Sequence, residues 1–260
     1  MTRHRRYFIL WTSLFFGLLL GNSTYGQFYK VYGYGTLEAG EMELVYWNSY
    51  TASSDHKMGF FDAQVDRQGL LAHSFEIEYG LSHRFTVAAY FDFLDPSGTG
   101  MKYIQTKALM SHYRFYEKGS RPLDLALYIE YIFPRKSYKD SEELETKIIL
   151  EKDIGFWTVV LNPTFEKKLS GEEVEEGMEF NIASGITYKA LPWIQPGLEY
   201  YAKYGELRDM KPGDEQPHTL FATIDLFFKM RYHLHTGVGF GLSEAADNLI
   251  WKTIFSVEFR

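Results

Sequence analysis

Apolar and polar side chains alternate along most of the chain, and the alternation is clearest between residues 75 and 93. Two alternating runs flank a short turn there, and alternation with a period of two places successive side chains on opposite faces of a strand. The stretch therefore predicts a β-hairpin with one apolar and one polar face. A turn centred at Leu81 sets Phe75 opposite Val87.

The same pattern recurs along the chain and gives twelve predicted strands. They cover residues 37–50, the two arms of the 75–93 hairpin, and 107–116, 123–133, 143–151, 157–166, 178–188, 198–204, 220–226, 234–242 and 249–259. Long polar loops alternate with short turns between them. An even strand number, this loop asymmetry and both chain ends on the short-turn side are typical of outer-membrane barrels. The predicted fold is all-β: a closed antiparallel transmembrane β-barrel of about twelve strands in one domain, residues 27–260.

The first 26 residues follow a different pattern. A basic start at residues 3–6 precedes an apolar run of 15 residues, and small residues precede a cleavage site after Gly26. This order is typical of a secretory signal peptide. We expect residues 1–26 to be removed, which leaves Gln27 as the first residue of a protein destined for the cell outer membrane.

The amino-acid composition supports this interpretation and excludes several kinds of functional site. Aromatic residues make up 18% of the chain, which suits the aromatic girdles that flank the lipid-facing band of a barrel. Four tryptophans near predicted strand ends are the girdle candidates: Trp47, Trp157, Trp193 and Trp251. The chain has no cysteine, which excludes disulfides and thiolate metal sites. A net charge of −7 without a basic patch argues against a nucleic-acid partner, and no cofactor is expected.

The polar side of the predicted strands is rich in charge. The candidates for lining the lumen are Glu76, Glu78, Arg84, Arg114, Glu130, Glu145, Lys147, Glu166, Glu199 and Lys203. Acids outnumber bases among them, so an open path is expected to favour cations. The same charges could form a network that fills a narrow lumen, and the sequence leaves both alternatives open.

The sequence gives little support for a catalytic site or a metal site. A lipid hydrolase needs a poised nucleophile and base, yet neighbours such as Ser111 and His112 face opposite sides of a strand. His233 and His235 share a face without a third ligand fixed beside them, so no metal site is predicted. We expect a non-enzymatic, porin-like passive channel for small solutes. A plugged structural barrel and an outer-membrane lipid hydrolase are the alternatives.

Two stretches resemble known barrels. The chain ends with Phe255, Val257 and Phe259 on one face, followed by Arg260, and resembles the C-terminal strand signal of bacterial outer-membrane barrels. That resemblance implies that the barrel-assembly machinery recognises the chain and that outer-membrane lipid surrounds the folded barrel. The segment EIEYGLSHRFTV, residues 76–87, resembles a phrase repeated in uncharacterised porin-like barrels and, loosely, in the outer-membrane channels encoded with phenol meta-cleavage pathways. It implies a porin-like role and no particular binding residue.

Overall fold

The computed structural model describes residues 28–229 and 231–260. The strands are β1 (Met42–Ser53), β2 (Lys57–Phe60), β3 (Ala63–Asp66), β4 (Leu71–Ser82), β5 (Phe85–Asp95), β6 (Lys102–Arg114), β7 (Asp124–Pro134), β8 (Glu143–Ile154), β9 (Trp157–Lys168), β10 (Glu179–Tyr188), β11 (Ile194–Glu206), β12 (Asp209–Met210), β13 (His218–Phe228), β14 (Tyr232–Gly241) and β15 (Leu249–Phe259). Two short 3₁₀ helices span Glu172–Glu175 and Gly213–Glu215. Over the described ranges, no helix has the length and apolar character to cross a membrane.

Twelve of these strands form one closed sheet. Each pairs antiparallel with its neighbours in chain order, and β15 returns to pair with β1, where Phe259 lies opposite Met42. The other strands lie outside the barrel ring: β2 and β3 form a separate hairpin, and β12 pairs only with the end of β11. The predicted twelve-stranded, all-antiparallel barrel is confirmed. Residues 1–26, the predicted signal peptide, lie outside the described residues.

Strand boundaries differ from the prediction at the opening hairpin. The turn lies at residues 83–84 rather than at Leu81, so Phe75 pairs with Phe91 and Val87 pairs with Tyr79. The predicted register is therefore wrong by four residues. Because four is an even number, the side chains that lie within β4 and β5 keep their predicted faces. The first strand also begins later than predicted, at Met42 rather than at residue 37.

The apolar side chains of each strand point to the outer face of the barrel. Phe75, Ile77 and Tyr79 of β4 are each 45–47% exposed, as expected for side chains that face lipid. Trp157, Trp193 and Trp251 are also on the outside and are 45–59% exposed. Trp157 packs on Tyr188 with ring centroids 4.7 Å apart at the short-turn end.

The interior is filled by the chain that precedes β1. Tyr32 and Tyr34 are 8% and 0% exposed, and they pack in one cluster with interior side chains of the wall. Phe28 packs at the long-loop end, against the apolar cluster that contains Met58 and Phe60 of β2. Thr36 lies at the opposite end, where its hydroxyl donates to the carbonyl of His83 in the β4–β5 turn. The segment from Phe28 to Glu41, here called the internal segment, thus runs the length of the lumen. The prediction that the chain starts on the short-turn side is wrong for these residues, although β1 begins there.

Candidate functional site: the lumen and its internal segment

Side chains of the wall hold the main chain of the internal segment. Asn162 on β9 accepts a hydrogen bond from Tyr32 N–H at 2.7 Å and donates one to Tyr32 C=O at 3.0 Å. Glu151 accepts from Tyr34 N–H at 2.7 Å, and Thr86 accepts from Leu37 N–H at 2.9 Å. Buried backbone groups need such partners, and here the wall supplies them in place of a neighbouring strand.

Aromatic rings and lysines pack around the same segment. The Tyr32 ring lies 4.5 Å from the Tyr128 ring between centroids, and Lys147 Nζ lies 3.9 Å from the Tyr32 centroid. Lys30 Nζ lies 4.5 Å from the Trp47 centroid. Cations over aromatic faces are attracted to them, and more strongly where water is excluded. The segment is therefore fixed against the wall formed by β1 and β5–β9.

Trp47 belongs to this interior packing. It is 5% exposed, and its indole N–H donates to Glu76 at 2.8 Å. The prediction that Trp47 is part of the aromatic girdle is wrong because its side chain points into the barrel. The sequence alone indicates this orientation, because Trp47 lies on the same face of the strand as Glu43 and not on the face of Leu44.

Most of the predicted lumen residues do face the interior and are paired there. Lys30 Nζ lies 3.5 Å from Glu76 and 3.8 Å from Glu78. The remaining interior contacts join Glu130 to Lys107 at 3.1 Å, Glu145 to Lys147 at 2.8 Å, Glu166 to Asn181 at 2.7 Å and Glu199 to Lys252. Lys203 lines the outer cavity described below. These contacts form a charge network across the wall and the internal segment.

The two predicted arginines lie at the short-turn end. Arg114 ends β6 with its guanidinium 5.7 Å from the Tyr34 ring centroid, at the rim of the lumen. Arg84 is in the β4–β5 turn, its side chain is 43% exposed, and it pairs with Glu117 at 2.9 Å. The prediction that Arg84 lines the lumen is wrong because the turn lies two residues later than Leu81.

Four glutamates form a lateral row across neighbouring strands. Glu130, Glu145, Glu166 and Glu179 are direct cross-strand neighbours on β7, β8, β9 and β10. Like charges placed opposite one another destabilise a sheet. Lys107 and Lys147 reduce this repulsion, since each lies within 3.1 Å of a carboxylate in the row.

Two cavities lie on either side of the internal segment. The outer cavity, about 230 Å³, opens toward the long loops, and the inner cavity, about 360 Å³, opens toward the short turns. Lys30 lines both. The outer lining is mixed, with Glu143, Glu145, Glu166, Asp247 and Lys30, Lys107, Lys139, Lys147, Lys203. The inner lining is more acidic, with Glu43, Glu151, Glu199, Asp225 against Lys30 and Lys189, together with His233 and His235.

A constriction separates the two cavities. Lys252 on β15 contacts Glu199 and donates to Tyr201 OH at 3.1 Å and to Tyr29 C=O at 3.3 Å. The Tyr29 ring meets the Tyr201 ring edge-on, with centroids 5.1 Å apart. Tyr201 lines the outer cavity and Glu199, two residues earlier on the same strand face, lines the inner one. The polar lining is thus continuous through the constriction.

The outer mouth is covered by the β2–β3 hairpin. Arg67 binds Asp247 at 2.6 Å with both side chains 1–2% exposed, and Ser54 donates to the same carboxylate at 2.7 Å. Met58 and Phe60 pack on interior residues at the long-loop end. Burial disfavours the charged form of Arg67, but the hydrogen bonds and charge of Asp247 outweigh it, so the pKa of Arg67 is raised.

At the inner rim, the internal segment contacts β4 and the residue that follows β15. Gly40 N–H donates to Gly80 C=O at 2.8 Å, and a side chain at Gly80 would place its Cβ 2.0 Å from the carbonyl oxygen of Glu38. Glycine at position 80 therefore permits this close crossing. Arg260, which follows Phe259, lies with its guanidinium 2.7 Å from the Glu41 carboxylate and so also contacts the internal segment.

Other chemistry is sparse in the part of the chain that the structure describes. No three His, Asp or Glu side chains within it converge in a way that could hold a metal ion. Ser111 and His112 are paired opposite Val87 and Thr86 on β5 and lie on opposite faces of β6.

Several solved structures share this fold. The COG4313 outer membrane channel from Pseudomonas putida F1 matches with a TM-score of 0.62 at 13% sequence identity, over 87% of this chain and 98% of that one. The KdgM porin matches with a TM-score of 0.56 at 10% identity, over 84% of this chain and 99% of its own. The NanC porin matches with a TM-score of 0.52 at 8% identity, again over 84% and 99%.

No protein-family model matches the sequence, and no curated protein matches it. At identities this low, the structural likeness describes the fold alone. The protein has the fold of porin-like outer-membrane barrels, and the predicted resemblance to such barrels is confirmed at that level.

Proposed function

We propose that this protein is a non-enzymatic, passive channel of the outer membrane for small solutes, with a path that runs beside the internal segment. The observation that carries the proposal is the pair of cavities that meet at Lys30 and at the polar constriction of Glu199, Tyr201 and Lys252. Polar side chains line both sides of this constriction, as a path for hydrated solutes requires. The fold shared with outer-membrane channels and porins supports the same reading.

The charges favour small cations and neutral solutes on the inner half of the path. Four carboxylates face two lysines in the inner cavity, whereas the outer cavity is mixed in charge. One KdgM porin structure was obtained in complex with disordered oligogalacturonate, an acidic oligosaccharide. We propose a different solute preference here, because a polyanion would meet the acidic inner cavity and the segment that narrows the lumen.

The same proposal includes the protein's location and assembly. A signal peptide cleaved after Gly26 delivers the chain to the envelope, and the C-terminal strand that ends at Phe259 is read by the barrel-assembly machinery. Outer-membrane lipid then surrounds the apolar face of the strands.

A planar bilayer tests the channel. Folded wild-type protein is expected to give small steps with a cation preference, and deletion of residues 28–36 is expected to raise the conductance several-fold because the segment fills much of the lumen. Insertion is checked by gel mobility, since a closed barrel migrates differently before and after boiling. Silent bilayers from correctly folded wild-type protein would contradict the proposal.

The plugged structural barrel is the second candidate. The burial of Tyr32 and Tyr34 and their main-chain bonds to Asn162 and Glu151 favour it. Under this alternative the wild type is silent and the deletion variant conducts. The two candidates therefore differ in the wild-type trace alone.

A further inference from the structure

Four polar side chains form a row on the lipid-facing side of the barrel. They are direct cross-strand neighbours: Thr236 on β14, Thr253 on β15, Asn48 on β1 and His73 on β4. On the same face, the residues two positions before and after each of them are apolar or aromatic: Leu234 and Val238, Trp251 and Phe255, Tyr46 and Tyr50, Leu71 and Phe75. The row therefore lies within the band of the barrel that contacts hydrocarbon.

The barrel itself satisfies the two threonines of this row but only half of the Asn48 amide. Thr236 donates a hydrogen bond to the carbonyl of Lys252 at 2.9 Å, and its hydroxyl lies 3.3 Å from that of Thr253. One end of the Asn48 amide lies 3.4 Å from Ala72 C=O. A carbonyl only accepts, so the amide nitrogen is at that end and Oδ1 points away from it.

His73 is held in one tautomer by its neighbours. Its Nδ1 lies 3.2 Å from Asn48 Nδ2 and 2.8 Å from Tyr46 OH. An amide N–H only donates, so Nδ1 is the nitrogen with the lone pair, and the imidazole carries its proton on Nε2. Among the residues that the structure describes, no hydrogen-bond partner meets the Nε2 donor of His73 or the Oδ1 acceptor of Asn48.

Hydrocarbon offers no partner to these two groups. A polar group that lacks a hydrogen bond in lipid is costly, and this cost favours association between membrane-spanning proteins. The two groups are complementary, since one is a donor and the other an acceptor, and they lie side by side on paired strands. The same pair in reversed order therefore satisfies both.

We propose that this face of the barrel, centred on Asn48 and His73, binds a second copy of the protein in a symmetric dimer. A two-fold axis along the membrane normal, between β1 and β4, places β1 of one copy against β4 of the other. His73 Nε2–H of each copy then donates to Asn48 Oδ1 of the other, which gives two equivalent hydrogen bonds, as an isologous contact requires. No lumen residue takes part, so the dimer does not depend on the proposed channel function.

Aromatic rings beside the polar pair supply the apolar part of the contact. Tyr46, Phe75, Phe93 and Tyr103 form a continuous series on the outer face, with successive ring centroids 5.1, 5.9 and 5.6 Å apart. These rings are already ordered by packing on one another, so little side-chain freedom is lost when a second surface covers them. Aromatic side chains are enriched in the central part of protein–protein interfaces.

Dimerisation is measured by energy transfer between donor-labelled and acceptor-labelled Ser97→Cys protein in lipid vesicles, over a range of protein-to-lipid ratios. We expect association in this background, and Asn48→Leu or His73→Leu should weaken it about tenfold or more, because each change removes both hydrogen bonds. Ser184→Ala is the matched control. It removes a lipid-facing hydroxyl on β10, opposite Leu161, and should leave association unchanged. Gel mobility before and after boiling confirms that each variant is folded.

A mixture of the two variants tests the pairing itself. In a mixed dimer, His73 of the Asn48→Leu copy meets Asn48 of the His73→Leu copy, so one hydrogen bond returns, and two leucines meet at the other position. The mixture should therefore associate more tightly than either variant alone. A lipid that satisfies the two groups gives no such recovery.

Wild-type protein that stays monomeric at the highest protein-to-lipid ratio overturns the proposal. A mixture that associates no better than the single variants also overturns it. If native mass spectrometry finds a lipid that stays bound to monomeric wild type and is lost in Asn48→Leu, the face binds lipid and not a second copy.

Discussion

At the scale of single residues, the polar partners of the internal segment decide what the lumen is. Asn162 is fully buried and bonds both polar groups of the Tyr32 backbone. Asn162→Leu keeps the approximate volume but leaves that N–H and C=O unpaired, at a cost of about 1–3 kcal/mol for each buried group. We expect the segment to leave the lumen part of the time. Trypsin cleavage after Lys30 should then be faster than in the wild type.

Asn181→Leu is the matched control for this prediction, because Asn181 also faces the interior but its amide bonds Glu166 on the neighbouring strand. Equal cleavage in the two variants would mean that Asn162 does not hold the segment.

Individual residues also mark where sequence reasoning succeeds and where it stops. The alternation of side chains along each strand correctly places Glu76, Glu130 and Glu199 in the interior. The same alternation places Trp47 in the interior, although it was predicted to belong to the aromatic girdle. The internal segment escapes this reasoning. Its backbone partners lie 130 and 117 residues away, on Asn162 and Glu151, and a local pattern carries no information about contacts at that separation.

At the scale of elements, the faces of the strands are more predictable than their registers. The turn of the β4–β5 hairpin follows Ser82, with a bulge between Gly80 and Ser82, and the alternation of side chains does not report either feature. Arg84 changes from a predicted lumen residue to an exposed turn residue through this shift alone. The β2–β3 hairpin was likewise hidden inside a polar connection, because its strands are only four residues long.

The β2–β3 hairpin gives a prediction at this scale. Arg67→Met leaves Asp247 buried without its charged partner, and removal of one member of a buried pair costs about 3–5 kcal/mol. We expect the hairpin to open locally while the barrel stays folded, so hydrogen exchange should accelerate at residues 57–66 and not in the barrel strands.

Lys57→Met is the control for that experiment. It breaks the Lys57–Asp66 pair, whose side chains are 68% and 73% exposed and which contributes little by comparison. Accelerated exchange of similar size in both variants would show that the buried pair is not what keeps the hairpin closed.

At the scale of the whole molecule, the barrel follows from patterns that are spread over the entire chain, whereas the state of its lumen does not. Twelve alternating runs and the loop asymmetry each constrain the sheet, and errors of a few residues in any one of them leave closure intact. Whether water can pass depends on where Tyr29, Tyr201 and Lys252 meet. These three residues come from the internal segment and two distant strands, so their meeting is a property of the folded molecule.

The orientation of the barrel is the remaining whole-molecule prediction. The long loops should face the cell exterior and the short turns the periplasm. The chain has no cysteine, so single cysteines can be introduced without a background signal. Ser97→Cys, in the loop after β5, should react with a membrane-impermeant maleimide on intact cells. Gly98 and Gly100 beside it both adopt positive φ, so Ser97 is the better choice in that loop.

Phe156→Cys, in the two-residue β8–β9 turn, is the matched partner because that side chain is 63% exposed at the opposite end. It should react only after the outer membrane is permeabilised. If Phe156→Cys were labelled on intact cells while Ser97→Cys required permeabilisation, the barrel would be inserted the other way. The cavity of mixed charge would then face the periplasm, and the acidic cavity would face the cell exterior, so cations would meet the acidic lining first when they enter from outside.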